Sequence, residues 1–179
     1  ISNIDQTDII NANNLGYKIK LVGVAESTNY KIIQRVHPAF IKNNSYIAKI
    51  NGVSNAVIVE SSPVGQTVLQ GEGAGSGPTT SSLISDLCSV LRGNIKFPFV
   101  ISNKKRKLAL FESLDEKKFS VYLRLDVKDK HGILSDITKV MSKNKVSIKR
   151  LIQNPTVNKK TASIIIVTHK AKNSSIVKI

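Results

Sequence analysis

Gly71-Glu72-Gly73-Ala74-Gly75-Ser76-Gly77 lies between residues 66–70, which read as a strand, and residues 78–91, which read as a helix. Four glycines in seven residues make a bend whose backbone can approach another group closely, since few Cβ atoms stand in the way. Pro78 suits the first helical turn, where its missing N–H does no harm. Leu83, Ile84, Leu87, Val90 and Leu91 recur at helical spacing and predict an apolar stripe along one face of the helix. Backbone N–H groups at such a helix start favour a phosphate or another anion. The dinucleotide pattern Gly-x-Gly-x-x-Gly is not met, because counting from Gly71 or Gly73 puts Ser76 or Pro78 at the sixth position. Nor does the bend end in the Gly-Lys-Ser/Thr of a phosphate loop. Spacing leaves two readings, a structural turn and a ligand-approach loop, and favours the first.

Upstream, Pro63-Val64-Gly65 reads as a hairpin turn joining a strand over 55–60 to the strand over 66–70, and Asn51-Gly52 marks a second turn. Residues 5–16 predict a short helix. Asp5 and Asp8 sit in its first turn, Ile9, Ala12 and Leu15 share a face, and Gly16 suits the left-handed position after it. Residues 17–25 and 31–36 predict two strands, the second stopped at His37-Pro38 because proline cannot donate to a ladder.

Downstream, residues 94–117 read as a linker following Gly93, with Pro98 and the basic cluster Lys104-Lys105-Arg106. Residues 119–127, 133–143, 146–152 and 161–168 then predict strand, helix, strand and strand. Asn173-Ser174-Ser175 opens another helix, expected to run to Ile179. This order is a βαββαβ ferredoxin-like unit without its closing strand. Ile133, Leu134, Ile137 and Val140 are expected to pack the helix on the sheet. Gly132 permits a tight entry into that helix, with N–H groups exposed at its start and suited to a small ligand's carboxylate. The plainer reading, that Gly132 serves only the turn, is favoured on physics alone.

Composition narrows the classes. Of 179 residues, 41% are hydrophobic and 22% charged, which predicts packed cores rather than disorder. The longest apolar run, Ser163-Ile164-Ile165-Ile166-Val167, is far too short to cross a membrane. The chain opens Ile1-Ser2-Asn3 without an initiator Met or a signal-peptide pattern, which predicts an internal piece of a longer protein. The single Cys88 excludes an internal disulfide, and its apolar neighbours predict a buried helix position in a reducing compartment. The net charge of +15 is uneven: residues 1–93 hold 7 Lys/Arg and 6 Asp/Glu, residues 94–179 hold 20 and 6. With aromatics at 5% and no Trp, a solvated basic face is favoured over a nucleic-acid groove.

Several stretches, taken in order, resemble one family. They are Asp8-Ile9, Leu15-Gly16-Tyr17-Lys18-Ile19-Lys20-Leu21, Val36-His37-Pro38, Ile50-Asn51-Gly52-Val53-Ser54-Asn55-Ala56-Val57, and Gly71-x-Gly73-Ala74-Gly75-x-x-Pro78-Thr79. This order is similar to that of homoserine dehydrogenases and covers residues 1–93, the later part of their catalytic and dimerisation domain. The resemblance implies that Gly75 approaches a bound NADP or NAD. It also implies that the nucleotide-binding fingerprint, the catalytic Asp and Lys and the metal-binding loop lie upstream, so no catalytic or metal residue is assigned here. Asp86 matches an acidic position of the family, with a structural helix role favoured.

Residues 118–179 resemble an ACT domain, a fold that binds amino acids between paired copies. Where that family carries a proline before the glycine of its turn, His131 stands here. Residue by residue, the resemblance implies effector contacts at Asp129, Gly132, Ile133 and Leu134, with Ser147 facing the same site from a partner chain.

The expected fold is therefore α+β: a partial homoserine dehydrogenase catalytic domain, mixed sheet with helices, followed by an incomplete ACT domain. The expected parent is a cytoplasmic, homo-oligomeric enzyme that interconverts homoserine and aspartate semialdehyde. Feedback through the ACT domain, by threonine, is implied, and the chain alone is expected to be inactive. No nucleic acid and no membrane are expected as partners. The alternative is an amino-acid-binding and oligomerising module without catalysis.

Overall fold

The computed structural model describes residues 4–28, 30–94, 102–155 and 161–179. Ile1-Ser2-Asn3 and Pro98, on which two of the expectations above fall, lie outside them. The fold is α+β and forms two compact units. The first comprises residues up to Val22 and from His37 to Ala109; the second comprises Gly23–Val36 and Leu110–Ile179.

In the first unit, helix α1 (Gln6–Asn14) begins at Asp5, whose carboxylate accepts from the N–H groups of Thr7 and Asp8, while Asp8 reaches back to the Asp5 N–H. This reciprocal cap satisfies amides that have no partner within the helix. Gly16 ends it at φ +82°, the left-handed geometry expected of it. Ala12 and Leu15 are buried as the spacing predicted, but Ile9 is exposed and Asp8 and Asn11 are buried instead. The capping exchange accounts for Asp8.

Strands β1 (Tyr17–Thr28) and β2 (Lys31–Lys42) are neighbours in one sheet and separated by two residues, which only an antiparallel pair allows. The expected stop at His37-Pro38 is wrong, for β2 continues through both. Among the described residues its far side pairs at Lys31 and Ile32, with strand β5 (Leu110–Phe111), and no described strand on that side takes an N–H from Pro38. A four-residue helix, α2 (Tyr46–Lys49), follows. The hairpin of β3 (Ser54–Ser61) and β4 (Gly65–Glu72) then pairs from Ser54↔Glu72 to Ser61↔Gly65, as the turn at 63–65 predicted.

Helix α3 (Ser76–Leu91) carries the expected stripe, but the stripe is not packed. Leu83 is 65% exposed, Leu91 77%, and no residue of the helix is buried. Cys88, expected to be buried, is half-buried. Periodicity records which face is apolar; nothing among the described residues covers this one. No helix among them is long and apolar enough to cross a membrane.

The C-terminal part of the second unit contains β6 (Lys118–Phe119), β7 (Tyr122–Lys128), α4 (Ile133–Lys143), β8 (Ile148–Pro155), β9 (Thr161–Thr168), β10 (Ala171–Lys172) and α5 (Asn173–Ile176). The sheet order β7-β9-β8, all antiparallel neighbours, is that of the first three strands of a ferredoxin-like unit. Among the described residues no strand pairs with the outer edge of β7. Ile164 and Ile166 form the core with Met141, Val146 and Ala171, and Leu123, Leu125, Ile133, Ile137 and Ile176 pack against it. Both helices therefore cover the same face. Val140, expected on that face, is 45% exposed, and Met141 occupies the core instead, four residues after Ile137. The last helix stops at Ile176, short of the expected Ile179.

The end of α4 explains how the chain enters β8. Val146 donates its N–H to the Met141 carbonyl at 2.9 Å and Lys145 to that of Ser142 at 2.9 Å, with Lys145 at φ +59°. This is a Schellman closure, with Met141 and Val146 as its hydrophobic contact. The position normally taken by glycine is held by a lysine, and a left-handed residue with a Cβ costs about 1 kcal/mol. Lys145→Gly is therefore expected to stabilise the protein by about 1 kcal/mol. Denaturant unfolding should show a higher midpoint at unchanged slope; a lower midpoint would contradict this account of the turn.

Candidate functional site

The glycine bend is exposed throughout residues 71–77. Gly75 precedes the first turn of α3 with φ +123° and ψ 155°, a conformation that residues with a side chain rarely adopt. Its carbonyl accepts from the Thr79 N–H at 3.2 Å and from Thr79 Oγ1 at 2.7 Å, which fixes the bend to the helix. No side chain caps the start of α3, where the positive end of the helix lies, and in its first turn Pro78 has no N–H while that of Thr79 is already bonded.

Gly73 was not singled out by spacing, yet it is the tightest glycine of the bend. A Cβ there would lie 1.5 Å from Asn55 Nδ2 and 2.7 Å from Asn55 Cγ, so the Asn55 side chain would have to swing away. The Gly73 N–H also donates to the Val53 carbonyl at 3.0 Å, which docks the bend on the start of β3. The pattern of alternating glycines contained this information only as a register: Asn55 pairs with Gly71, which places Gly73 just beyond it.

The second predicted site is the loop between β7 and α4. Gly132 precedes α4 at φ +91°, accepts from the Asp136 N–H at 3.0 Å and provides no side-chain cap. Asp129 and Gly132 are exposed, Leu134 is 37% exposed, and Ile133 is half-buried against the core. These four residues are brought together at one end of α4. Ser147 is not with them. It follows the other end of the helix, one residue before β8, and its carbonyl accepts from the His169 N–H at 2.8 Å. An 11-residue helix is about 16 Å long, so Ser147 and Gly132 mark opposite ends of the unit within one chain.

Two features were outside the sequence reading. An open groove of about 460 Å³ in the first unit is lined by Ile4, Ile9, Asn13, Lys18, Lys20 and Pro38 among others. The Nζ of Lys20 donates to the Ile50 carbonyl and, at 3.1 Å, to Asn51 Oδ1. In the second unit Glu26 accepts from Arg35 Nη1 at 2.8 Å and Lys117 Nζ at 3.1 Å. The hydrogen bonds from Arg35 and Lys117 hold its carboxyl below the ordinary glutamate value of 4.5. Among the described residues no group of three His, Cys, Asp or Glu side chains is placed to hold a metal ion.

The chain thus joins a glycine bend at an exposed helix start to a ferredoxin-like unit with a glycine before its first helix. Comparison with known proteins gives the family. The homoserine dehydrogenase profile matches residues 1–88 and the ACT domain profile residues 121–179. The chain is 37% identical over 175 residues to a homoserine dehydrogenase of Neisseria gonorrhoeae, covering 94% of this chain and 40% of that one. It is 33% identical to that of Helicobacter pylori, covering 98% and 41%. The crystal structure of a homoserine dehydrogenase from Thiobacillus denitrificans superposes with a TM-score of 0.84 at 31% identity, over 99% of this chain and 41% of that one. The chain belongs to the homoserine dehydrogenase family and carries an ACT domain. It spans about two fifths of the length of the relatives it matches.

The shift at Glu26 sets a pH signature. A carboxyl whose folded pKa is depressed contributes stability that is fully present above its unfolded value and is lost as pH falls through the folded value. The side chain is 40% exposed, so solvent screens the pair and the contribution stays at or below about 1 kcal/mol. The stability difference between wild type and Glu26→Gln is thus expected to be constant above about pH 5.5 and to shrink below pH 4.5. A difference that grows on acidification would contradict the assignment.

Proposed function

We propose that the chain is part of an enzyme that interconverts L-homoserine and L-aspartate 4-semialdehyde with NAD or NADP. In this reading residues 1–93 support the substrate domain and the dimer, 94–117 link, and 118–179 sense an amino-acid end product, threonine first among them. The supporting observation is the order on one chain: a homoserine dehydrogenase match followed directly by an ACT match. The parent is a homo-oligomer working in the cytoplasm.

The glycine bend fits a nicotinamide cofactor in kind. It is exposed, its helix-start amides have no side-chain cap, and Gly75 holds a backbone conformation that excludes a Cβ at the point of approach. Gly75 would border the cofactor, which when bound supplies the hydride acceptor or donor. The bend itself contributes a close-fitting wall and the fixed dipole of α3. No acid–base pair in the chain is assigned to the proton transfer, and the chain by itself is expected to turn over no substrate.

On the sensing side, Asp129 and the first-turn amides of α4 are the groups suited to an amino acid's ammonium and carboxylate. Ile133 and Leu134 offer the apolar contact beside them. Ser147 can join them only across a subunit boundary, given its place at the far end of α4, so sensing requires paired chains.

Three measurements test this reading. The full-length protein is expected to oxidise homoserine with NAD or NADP; no oxidation with either cofactor would refute the assignment. In that protein Gly75→Ala is expected to raise KM for the cofactor about tenfold while KM for homoserine changes little, and an unchanged cofactor KM would remove Gly75 from the site. Calorimetric titration with L-threonine, L-isoleucine and L-methionine should show saturable binding of threonine that Gly132→Val abolishes. Silence with all three at millimolar concentration would leave the ACT unit a structural element.

A further inference from the structure

Strands β1 and β2 are shared between the two units. Residues 17–22 and 37–42 belong to the first, and the tip, Gly23–Val36, belongs to the second. Within the second unit that tip is held at three points. Lys31 and Ile32 pair with Leu110 and Phe111 of β5, and the Leu110 N–H donates to the Tyr30 carbonyl at 3.2 Å. Lys117 Nζ reaches the Glu26 carboxylate at 3.1 Å. The Arg35 guanidinium lies 5.1 Å from the centre of the Phe119 ring, within cation–π range. Glu26 also binds Arg35 at 2.8 Å, so one carboxylate braces the two strands of the tip to each other and to Lys117.

The same short segment reaches the sheet core from its other side. Phe119 pairs with Ala171, which is buried in the core beneath α4, and the Lys117 carbonyl accepts from the Asn173 N–H at 2.8 Å. Asp115 and Glu116 add a bond to the Ser174 N–H at 3.1 Å and an ion pair with Lys172 at 2.6 Å. Residues 115–119 thus touch the hairpin tip through the side chains of Lys117 and Phe119, and the ACT part through backbone bonds and the Glu116–Lys172 ion pair.

We propose that the β1–β2 hairpin is the element through which amino-acid binding at the ACT unit changes activity in the first unit, with Lys117–Glu26 and Phe119–Arg35 as its grip. The proposal rests on the sensing function above. The two strands are neighbours in one sheet, and both run from residues of the first unit into residues of the second. The grip stays charged across the neutral range, since Glu26 titrates below its ordinary value. Coupling of this kind requires only that the grip differ in strength between the effector-bound and effector-free states.

The test uses the full-length enzyme as wild type, Lys117→Met, Lys117→Met with Phe119→Leu, and Lys117→Arg. Homoserine oxidation is assayed with and without L-threonine, and L-threonine binding is measured by calorimetry. Both weakened variants are expected to keep wild-type threonine affinity and wild-type kcat/KM without threonine. Inhibition by threonine should fall about three- to tenfold, more in the double variant, and Lys117→Arg should restore it. Wild-type inhibition in both weakened variants would overturn the coupling alone. Loss of threonine binding together with inhibition would also overturn it, since the residues would then serve the ACT fold. A wild-type enzyme that oxidises homoserine but binds no threonine would overturn the sensing function, and the coupling with it.

Discussion

Ile164 and Ile166 face the core under α4, while Ile165 and Val167, one residue out of step, are buried on the opposite face of the same strand. Across the register that second face is flanked by Tyr122, Arg124, Arg150 and Ile152, whose long side chains can lie over it. A strand apolar on both faces gains burial in either of two registers, so hydrophobic patterning alone does not fix how β9 pairs. Thr168 does. It is fully buried, its hydroxyl accepts from the Val121 N–H at 3.0 Å, and its own N–H donates to the Val121 carbonyl at 3.0 Å. Slipping β9 by one residue would strand that hydroxyl in the core, at a cost of about 1–3 kcal/mol for an unsatisfied buried polar group. The position of β7, and with it the loop that carries Asp129 and Gly132, follows from this pairing.

The first unit is built on the opposite principle. Its apolar surface is laid out along α3 and on one face of the β3–β4 hairpin, where Val57, Val59 and Leu69 stay exposed. A two-stranded hairpin is marginal by itself, and stripes of this kind on soluble proteins mark surfaces that meet other protein. The relatives continue well beyond the stretch that this chain matches. The glycine bend lies between these two elements, anchored to β3 by Gly73 and to α3 by Gly75. Its shape is thus set locally, by hydrogen bonds and glycine conformation, rather than by a core.

This contrast explains what could be read from residues alone. In the ACT unit the strand 161–168 and the helix 133–143 were legible to the residue, because a buried strand and an amphipathic helix carry strong periodic signals. The expected strands 119–127 and 146–152 are instead observed at 122–128, after a short strand at 118–119, and at 148–155. Gly16, Gly65 and Gly132 were legible because left-handed turns leave few alternatives. The continuation of β2 through Pro38 was not, since it depends on which edge of the strand is unpaired, a fact of topology. Burial of Cys88 on α3 was over-read because period reports a face and not its cover. Gly73 and the Glu26 grip were missed for a shared reason: each depends on residues far apart in sequence, 73 with 55 and 26 with 117, that no local spacing connects. Ser147, assigned through resemblance as a contact from a partner chain, lies at the far end of α4 from Gly132 within its own chain.

Both ligand assignments rest on backbone amides at glycine-started helices, and hydrogen exchange reads those amides directly. The decisive measurement is amide exchange across the full-length enzyme, alone, with whichever of NAD and NADP it uses, and with L-threonine. The account predicts that this cofactor slows exchange in residues 73–79 and that threonine slows it in residues 132–136, each with the largest change at its own loop. Protection by the cofactor that leaves residues 73–79 untouched, or by threonine that spares residues 132–136, would contradict it.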